Sequence, residues 1–298
     1  MSDRYYQIHQ MAEDVYHIYE PGGVGSTLIL GKCQALLIDT GYGFSDIRKV
    51  IRSLTNLPVQ VVNTHGHTDH TGGNYLFKRV WMNPADRSIY KAYNTNQKPL
   101  IAAKFQAECK AAGKKNIWPE DFDRIEWYNS KTREFDWLIN GQTFDLDSPK
   151  ERCNQTFDFD MPSRENHLIQ TIFMPGHTGG STMFFDWKNY ILFSGDDLDY
   201  SLWLMFDNSA PLYTYQKHLR ILKNYPIEWI LPSHRTKMLD PWIIRRLDEA
   251  ITHLSVENSR IFFHPRTGVP AMLYKEPLNG GSPDGLDTIY IVYRKNHM

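Results

Sequence analysis

Residues 65–70 read His-Gly-His-Thr-Asp-His and place four potential metal ligands, His65, His67, Asp69 and His70, within six positions. Neutral imidazole and carboxylate groups are the ligands that borderline cations such as Zn²⁺ accept, and a catalytic zinc keeps one position for water or substrate. The largely apolar residues before the stretch predict a short buried strand, and two glycines follow it. We therefore expect these ligands on a strand-to-helix loop, as half of a metal site.

Three further ligand-type residues, His177, Asp196 and His234, each lie shortly after an apolar, strand-like run. The ends of neighbouring strands meet at one edge of a sheet, where groups distant in sequence come together. The alternative, that residues 65–70 are surface histidines on a polar loop, does not account for these later residues. The sequence thus offers enough ligands for a site with two metal ions.

Together these motifs resemble those of the metallo-β-lactamase superfamily of metallo-hydrolases. Besides residues 65–70, the chain has Pro-Gly-His-Thr-Gly-Gly-Ser at 175–181, Ser-Gly-Asp at 194–196 and Leu-Ile-Asp-Thr-Gly at 37–41, all in the family's order. The resemblance covers residues 14–260. It implies an α+β fold, a four-layer αββα sandwich with the site at one edge of its two sheets, here with an inserted, partly helical middle segment.

The resemblance also implies which residues hold which metal. The expected ligands are His65, His67 and His177 for one ion, Asp69, His70 and His234 for the other, and Asp196 as the bridge between both. The expected cofactors are two divalent metal ions, with zinc as the first choice and manganese or iron as the alternatives. Two such ions lower the pKa of a shared water, whose hydroxide would attack an ester, lactone, thioester or phosphoester.

Asp69 is the candidate catalytic residue, because a ligand carboxylate can also orient the attacking hydroxide and pass its proton to the leaving group. Asp39 ends a predicted strand and is expected to buttress a ligand loop. Asp197 is expected to be solvated or to cap a backbone group. The aromatic-rich residues 199–206 either line a substrate pocket or form a core segment.

Two residues on these loops have no single predicted role. Arg235 either attracts an anionic substrate or is an exposed loop arginine. Tyr200 lies one position further along than the tyrosine expected from the N-acyl-homoserine lactonases of the superfamily. Glyoxalase II shares the ligand loop, but this chain lacks a convincing C-terminal helical module with basic residues for glutathione, and the β-lactamases proper are normally exported. The substrate is therefore not set by the sequence.

Two other classes of function stay open. A mononuclear iron enzyme, similar to the persulfide dioxygenases of the superfamily, would use a similar His/Asp set with O₂ as co-substrate, and metal analysis separates it from a zinc hydrolase. A non-catalytic metal-binding module is the other. It is disfavoured because all seven ligand positions are filled.

With 298 residues, 41% of them hydrophobic, the chain could form one large domain or two. The resemblance favours a single domain, residues 1–298, in which residues 85–156 form a possible cap insertion. The formal net charge of −1 and the lack of Lys/Arg runs mean that the sequence shows no basic patch for binding nucleic acid. No apolar run approaches the length of a membrane span, and the N-terminus does not resemble a signal peptide. We expect a cytoplasmic enzyme with a small-molecule substrate and no nucleic-acid or membrane partner; the sequence leaves its oligomeric state open.

Local patterns predict the principal elements. Strands are expected at residues 15–18, 27–30, 35–38 and 288–293, and helices at 45–54, 98–112, 213–224 and 241–257. The pair Asn140-Gly141 predicts a hairpin turn. Cys33, Cys109 and Cys153 are expected to be free thiols, since no Cys-x-x-Cys pair occurs. Seven histidines have no ligand spacing and are expected to be ordinary surface or core residues: His9, His17, His167, His218, His253, His264 and His297.

Overall fold

The computed structural model describes residues 5–95, 97–114, 117–132, 134–149, 165–264, 268–277 and 288–298. Within these residues the chain forms three β-sheets and seven α-helices. Cys153 and parts of the middle segment lie outside the described residues. Cys33 and Cys109 are free, as predicted.

The first sheet contains seven strands in sequence order. These are β1 (Gln7–Ala12), β2 (Val15–Tyr19), β3 (Gly25–Leu30), β4 (Ala35–Ile38), β5 (Val59–Val62), β6 (Arg79–Met82) and β7 (Glu134–Trp137). Strands β1 to β4 form an antiparallel meander, whereas β4 to β7 pair in parallel. Parallel neighbours need crossover connections, so the helices of this half lie between β4 and β7.

The second sheet has the order β13-β11-β10-β9-β8, and a smaller third sheet has the order β12-β16-β15-β14. Their strands are β8 (Thr143–Asp145), β9 (Leu168–Phe173), β10 (Thr182–Asp186), β11 (Ile191–Gly195), β12 (Ser201–Leu204), β13 (Trp229–Pro232), β14 (Arg260–Phe263), β15 (Pro270–Pro277) and β16 (Thr288–Tyr293). In the third sheet β12 pairs in parallel with β16, with Trp203 opposite Val292. This pairing joins the segment after Asp196 to the C-terminal strand.

The helices are α1 (Ile47–Leu54), α2 (Thr68–Thr71), α3 (Arg87–Tyr93), α4 (Lys98–Ala111), α5 (Arg124–Asn129), α6 (Leu212–Ile221) and α7 (Trp242–His253). Helix α1 shows why the local sequence folds this way. The side chain of Asp46 accepts the backbone N–H of Arg48 at the first turn, and Ile47, Val50 and Ile51 form one buried face. None of the helices in the described part of the chain is long and apolar enough to cross a membrane.

The core divides into layers. Phe144 and Phe184 lie in the cluster between the two large sheets. Phe105 of α4 packs with α1 and α5 against the outer face of the first sheet. Tyr215 of α6 and Ile291 of the third sheet lie in the cluster that covers the second sheet. The order of layers is helix, sheet, sheet, helix, as predicted, with the third sheet added to the last layer.

Two predictions about local structure need correction. The Asn140-Gly141 turn does not form a hairpin, because β7 pairs with β6 in the first sheet and β8 pairs with β9 in the second. The turn instead carries the chain from one sheet to the other. Helix α7 ends at His253, before the predicted residue 257, because Leu254 has an extended backbone. Strands β7 and β8 fall inside the predicted insertion but belong to the two large sheets, so they are not part of a separate cap. The single domain, and a cap formed by the α3 to α5 portion, remain predictions.

Candidate metal centre

All seven predicted ligands lie at one edge of the two large sheets, on segments that follow or precede their strands. His65 and His67 follow β5, and His177 lies between β9 and β10. Their ring nitrogens converge: His65 Nε2 is 3.1 Å from His67 Nδ1, and His177 Nε2 is 3.0 Å from the same atom. All three histidines are buried.

The carboxylate of Asp196 lies between this group and a second one. Asp196 Oδ2 is 3.5 Å from His177 Nε2 on one side and 3.3 Å from His234 Nε2 on the other. Its Oδ1 is 3.3 Å from His70 Nε2. Asp69 Oδ2 completes the second group, 3.9 Å from His70 Nε2 and 3.8 Å from His234 Nε2. The carboxylate of Asp196 is thus within reach of both groups.

Hydrogen bonds on the outer side of the histidines aim their free lone pairs inward. In three of them Nδ1 faces an oxygen that can only accept, so Nδ1 carries a proton and Nε2 is the nitrogen that would bind a metal ion. These bonds join His70 Nδ1 to Asp39 Oδ2 (2.8 Å), His177 Nδ1 to Trp203 O (2.8 Å) and His234 Nδ1 to Gly23 O (2.7 Å). Such outer partners fix the tautomer and orientation of metal-binding histidines.

This donor set fits divalent cations. Lone pairs that face one another at about 3 Å repel unless a proton or a cation lies between them, as in a chelating site. In each of three sets of residues, the ligand atoms lie within 4.8 Å of one another. The sets are His65, His67 and His177; His65, His70 and Asp196; and Asp69, His70 and His234. The described residues therefore include a cluster able to bind metal.

Burial and charge divide the ligands into two kinds. Burial lowers the pKa of His65 and His177 and brings the pKa of His67 to about 3, so these imidazoles are neutral. Burial also lowers the pKa of His234, but the carboxylates of Asp196 and Asp69 outweigh it and raise the pKa to about 9. Without a cation, protons on the second group balance its carboxylates, and a metal ion would displace them.

Asp39 supports the first ligand loop from behind. Its carboxylate accepts the Thr64 backbone N–H (2.8 Å), the Thr64 hydroxyl (2.7 Å) and His70 Nδ1. The backbone of Asp39 has φ +62°, a left-handed conformation that Asp tolerates better than most residues. The prediction that Asp39 buttresses a ligand loop is confirmed.

Of the two predicted roles of Asp197, solvation or capping of a backbone group, the structure shows the second. Its side chain is buried and accepts the backbone N–H of His177 at 2.6 Å. Burial raises the pKa of this carboxyl well above its usual range. Because Asp197 directly follows Asp196, one side chain of this pair faces the ligand cluster and the other faces the backbone of the His177 loop.

Asp86 was missed by sequence reasoning. It is fully buried and accepts hydrogen bonds from Gly66 N (2.7 Å), Gly180 N (2.7 Å) and Thr178 Oγ1 (2.8 Å). Burial raises its pKa to about 6, although these hydrogen bonds act in the opposite direction. An aspartate just before a helix resembles an ordinary N-cap, and no local pattern shows its distant partners.

A cavity of about 420 Å³ opens at the cluster. Three of the candidate ligands that line it are His67, Asp69 and His234, and α4 forms part of the opposite side with Leu100, Ile101, Lys104, Phe105 and Glu108. The ring of His67 lies between Tyr93 and Phe206, at centroid distances of 4.7 and 5.1 Å, so apolar rings shield this part of the cluster from water.

Both interpretations of residues 199–206 hold in part. Trp203 and Phe206 line the cavity, whereas Leu202 and Leu204 belong to the core. His264, expected to be ordinary, also lines the cavity.

Arg235 is tied to neighbouring side chains. Its Nε lies 2.5 Å from Asp199 Oδ1, and its guanidinium lies over the Tyr200 ring at 4.9 Å. Neither Arg235 nor Tyr200 is among the described residues that line the cavity. The geometry therefore favours a paired loop arginine over a substrate contact.

Comparison with known proteins now identifies the family. The sequence profile of the metallo-beta-lactamase superfamily matches residues 19–234. The chain belongs to the metallo-β-lactamase superfamily. This membership supports a metal-dependent hydrolase, and the number and identity of the metal ions remain predictions.

The relatives agree with this assignment. The acyl-coenzyme A thioesterase MBLAC2 of Homo sapiens and the protein of the same name from Bos taurus are each 26% identical over 244 residues, 72% of this chain and 75% of theirs. The solved structure of a metallo-beta-lactamase from Pontibacter korlensis aligns with a TM-score of 0.52 at 15% identity, covering 84% of this chain and 100% of that one. The structural likeness confirms the predicted fold class.

Proposed function

We propose that this protein is a dinuclear metallo-hydrolase that cleaves acyl thioesters. The observation that carries the proposal is the convergence of six ligand-type side chains around Asp196, beside a cavity with apolar walls. The relatives named as acyl-coenzyme A thioesterases support the thioester as the bond that is cleaved. A cytoplasmic location stays a prediction.

Two divalent cations held by these residues would supply a hydroxide nucleophile at neutral pH and polarise the carbonyl under attack. The chain itself supplies orientation and proton transfer. Asp69 lines the cavity, and its Oδ2 faces His234 and His70, so its carboxylate is placed to accept the proton of the attacking water. A thiolate leaves readily, since a thiol has a pKa of about 8.5, and it needs less protonation than an alkoxide.

The apolar walls suit an acyl group. Leu100, Ile101 and Phe105 of α4 face the cavity, as do Trp203 and Phe206. A volume of about 420 Å³ lies within the usual range for small-molecule sites. We infer that the acyl chain lies against α4, with its carbonyl directed toward Asp196.

The test is a substrate panel on protein expressed with added Zn²⁺ or Mn²⁺. Acyl thioesters of coenzyme A and of glutathione, a lactone, an oxyester and a phosphoester are compared, with metal content measured in the same sample. We expect thioester cleavage that a chelator removes and Zn²⁺ restores, and about two metal ions per chain. Cleavage of another class alone would contradict the thioester assignment.

Ligand variants and metal analysis test the metal assignment. His67→Ala and Asp196→Ala should reduce metal content and activity together, and wild-type turnover in either would contradict it. About one iron per chain, with O₂ uptake on a persulfide and no hydrolysis, would instead support the iron oxygenase alternative.

A further inference from the structure

Asp86 connects two loops that carry ligands without contacting a ligand side chain. It accepts the N–H of Gly66, which lies between His65 and His67, and it accepts Thr178 Oγ1 and Gly180 N, just after His177. These two loops come from opposite sheets. One carboxylate therefore joins the backbone positions of all three residues whose ring nitrogens converge.

The carboxylate of Asp86 does not serve its own helix. Asp86 occupies the N-cap position of α3, where Asp commonly accepts a backbone N–H of the first turn, yet its side chain makes no such bond. Both oxygens are directed to the ligand loops instead. The orientation of this side chain is therefore set by its three donors on the ligand loops and not by capping of α3.

The glycines of the two motifs are explained by the same contact. A Cβ on Gly180 would lie 2.5 Å from Asp86 Oδ1, and a Cβ on Gly66 would lie 2.8 Å from Tyr90 N and 3.0 Å from Asp86 O. Neither position has room for a side chain. The backbone of each loop is thus held directly against Asp86 and the start of α3.

We propose that Asp86 is a positioning residue that sets the distance between the His65–His67 pair and His177. It would thereby set the metal affinity of the site that these three histidines form, which we call the first metal position. This inference rests on the proposed metal assignment. Outer partners of metal ligands commonly contribute 10–100-fold to metal affinity or activity. Asp86 acts one step further out, through backbone amides, and its effect on affinity is expected in the same range.

The test compares Asp86→Asn with Asp123→Asn. The amide keeps the size of the carboxylate but presents one N–H₂ group to a loop donor, so at least one loop bond is lost. Asp123 is a matched control, since it accepts the N–H groups of Ile125 and Glu126 at the start of α5, each at 2.9 Å. Thr178→Val removes the hydroxyl that donates to Asp86, together with its contact to Ser181 Oγ at 3.1 Å.

Three quantities are measured for each protein: metal affinity by chelator competition with Zn²⁺ and Co²⁺, the melting temperature of the metal-free form, and hydrogen exchange of residues 65–70 and 175–181. We expect Asp86→Asn to lower the metal affinity of the first metal position about 10–100-fold and to speed amide hydrogen exchange in both loops. Thr178→Val should act in the same direction, and the double variant should be less than additive. Asp123→Asn should keep wild-type affinity.

Unchanged metal affinity in Asp86→Asn would overturn the inference. So would a loss of affinity matched by unfolding of the metal-free variant, because Asp86 would then be a general stability residue. A wild-type protein that binds no metal would overturn the proposed function itself, and the wild-type measurement separates that failure from the other two.

Discussion

At the scale of single residues, the candidate metal centre depends on which ring nitrogen of each histidine is turned toward the cluster. Every outward Nδ1 bond made by His70, His177 and His234 turns Nε2 of the same ring inward. Asp69 differs from them because its carboxylate can serve as ligand and proton acceptor at once. Its two roles are separable by experiment.

Asp69→Asn keeps the size and one oxygen of the side chain but removes its charge. If the proton role is real, the variant reloaded with two metal ions should be slower by about 10²–10⁴-fold on an oxyester, the usual contribution of a positioned acid-base group. The loss should be smaller on a thioester, because the thiolate needs less protonation. The measurement is kcat on both substrates with metal content from the same sample. Near-normal kcat on both would reduce Asp69 to a ligand.

Residue patterns predicted the cluster but not what supports it. Ligands such as His65 and His67 stand out because their side chains are chemically unusual and closely spaced. Asp86 escaped notice because two of its three partners are backbone N–H groups, 20 and 94 residues away, and both belong to glycines, which have no side chain to mark them. For Asp197 the sequence left open whether it is solvated or caps a backbone group, because its partner is the N–H of His177, 20 residues away.

At the scale of elements, α4 determines one wall of the cavity. Leu100 lines the cavity and is 53% exposed, so it can be changed with little effect on the core. Local periodicity predicted the helix, which ends before Gly113 at φ +68°. Its position over the metal cluster depends on tertiary contacts such as Phe105 against Tyr42 and Trp118, which no local pattern specifies.

Leu100→Ser removes apolar surface from this wall. We expect KM for an apolar acyl thioester to rise about 3–10-fold, equivalent to about 0.6–1.4 kcal/mol of lost contact, with a smaller change in kcat. Ile125→Ser is the control, because Ile125 is 72% exposed on α5 and does not line the cavity. Equal KM values for wild type and Leu100→Ser would place the acyl group elsewhere.

An ion cluster joins the two large sheets away from the metal centre. Asp14, in the turn between β1 and β2, binds His167 Nε2 and Lys188 Nζ of the second sheet. Asp186 Oδ1 lies 3.6 Å from His167 Nδ1. Burial lowers the pKa of His167, but Asp14 and Asp186 outweigh it and raise the pKa to about 9. His167, expected to be ordinary, is therefore charged and buried.

This cluster predicts a dependence of stability on pH. Because the pKa of His167 is raised on folding, its contribution is complete below its unfolded value near 6.5 and is lost as pH rises through about 9. His167→Gln should lose about 1.5–3 kcal/mol at pH 6 and show a smaller fall in melting temperature between pH 6.5 and 9.5. His218→Gln, which changes a histidine bonded only to Thr214 O among the described contacts, is the control. Parallel pH profiles for wild type and His167→Gln would contradict the assignment.

At the scale of the whole molecule, the fold and the metal centre are separable. The apolar clusters between and outside the sheets are built without the ligands, which lie at the rim of the sandwich. The fold class was predictable from motifs that identify a superfamily. The wrong hairpin prediction shows what local sequence cannot determine. The strands that pair with β7 and β8 depend on long-range packing and not on the Asn140-Gly141 turn.

Metal removal should therefore lower stability without unfolding the chain. Binding to the native state alone contributes about 2.7 kcal/mol at a metal concentration 100 times Kd. We expect chelated protein to keep its far-UV circular dichroism, to melt about 5–10 °C lower and to recover on addition of Zn²⁺. Loss of secondary structure on chelation would show that the ligands are part of the folding core.

The bond from His177 Nδ1 to Trp203 O has a consequence for biosynthesis. The strand that carries Trp203 pairs with β16, so the position of the carbonyl that orients His177 depends on Val292 and its neighbours. At about 5–20 residues per second, on the order of ten seconds separate the synthesis of these two strands. A nascent chain would already contain His65, His67 and His177 during that interval, with His177 still free to turn. Any metal ion bound before β16 pairs would therefore meet His177 before its final orientation is fixed.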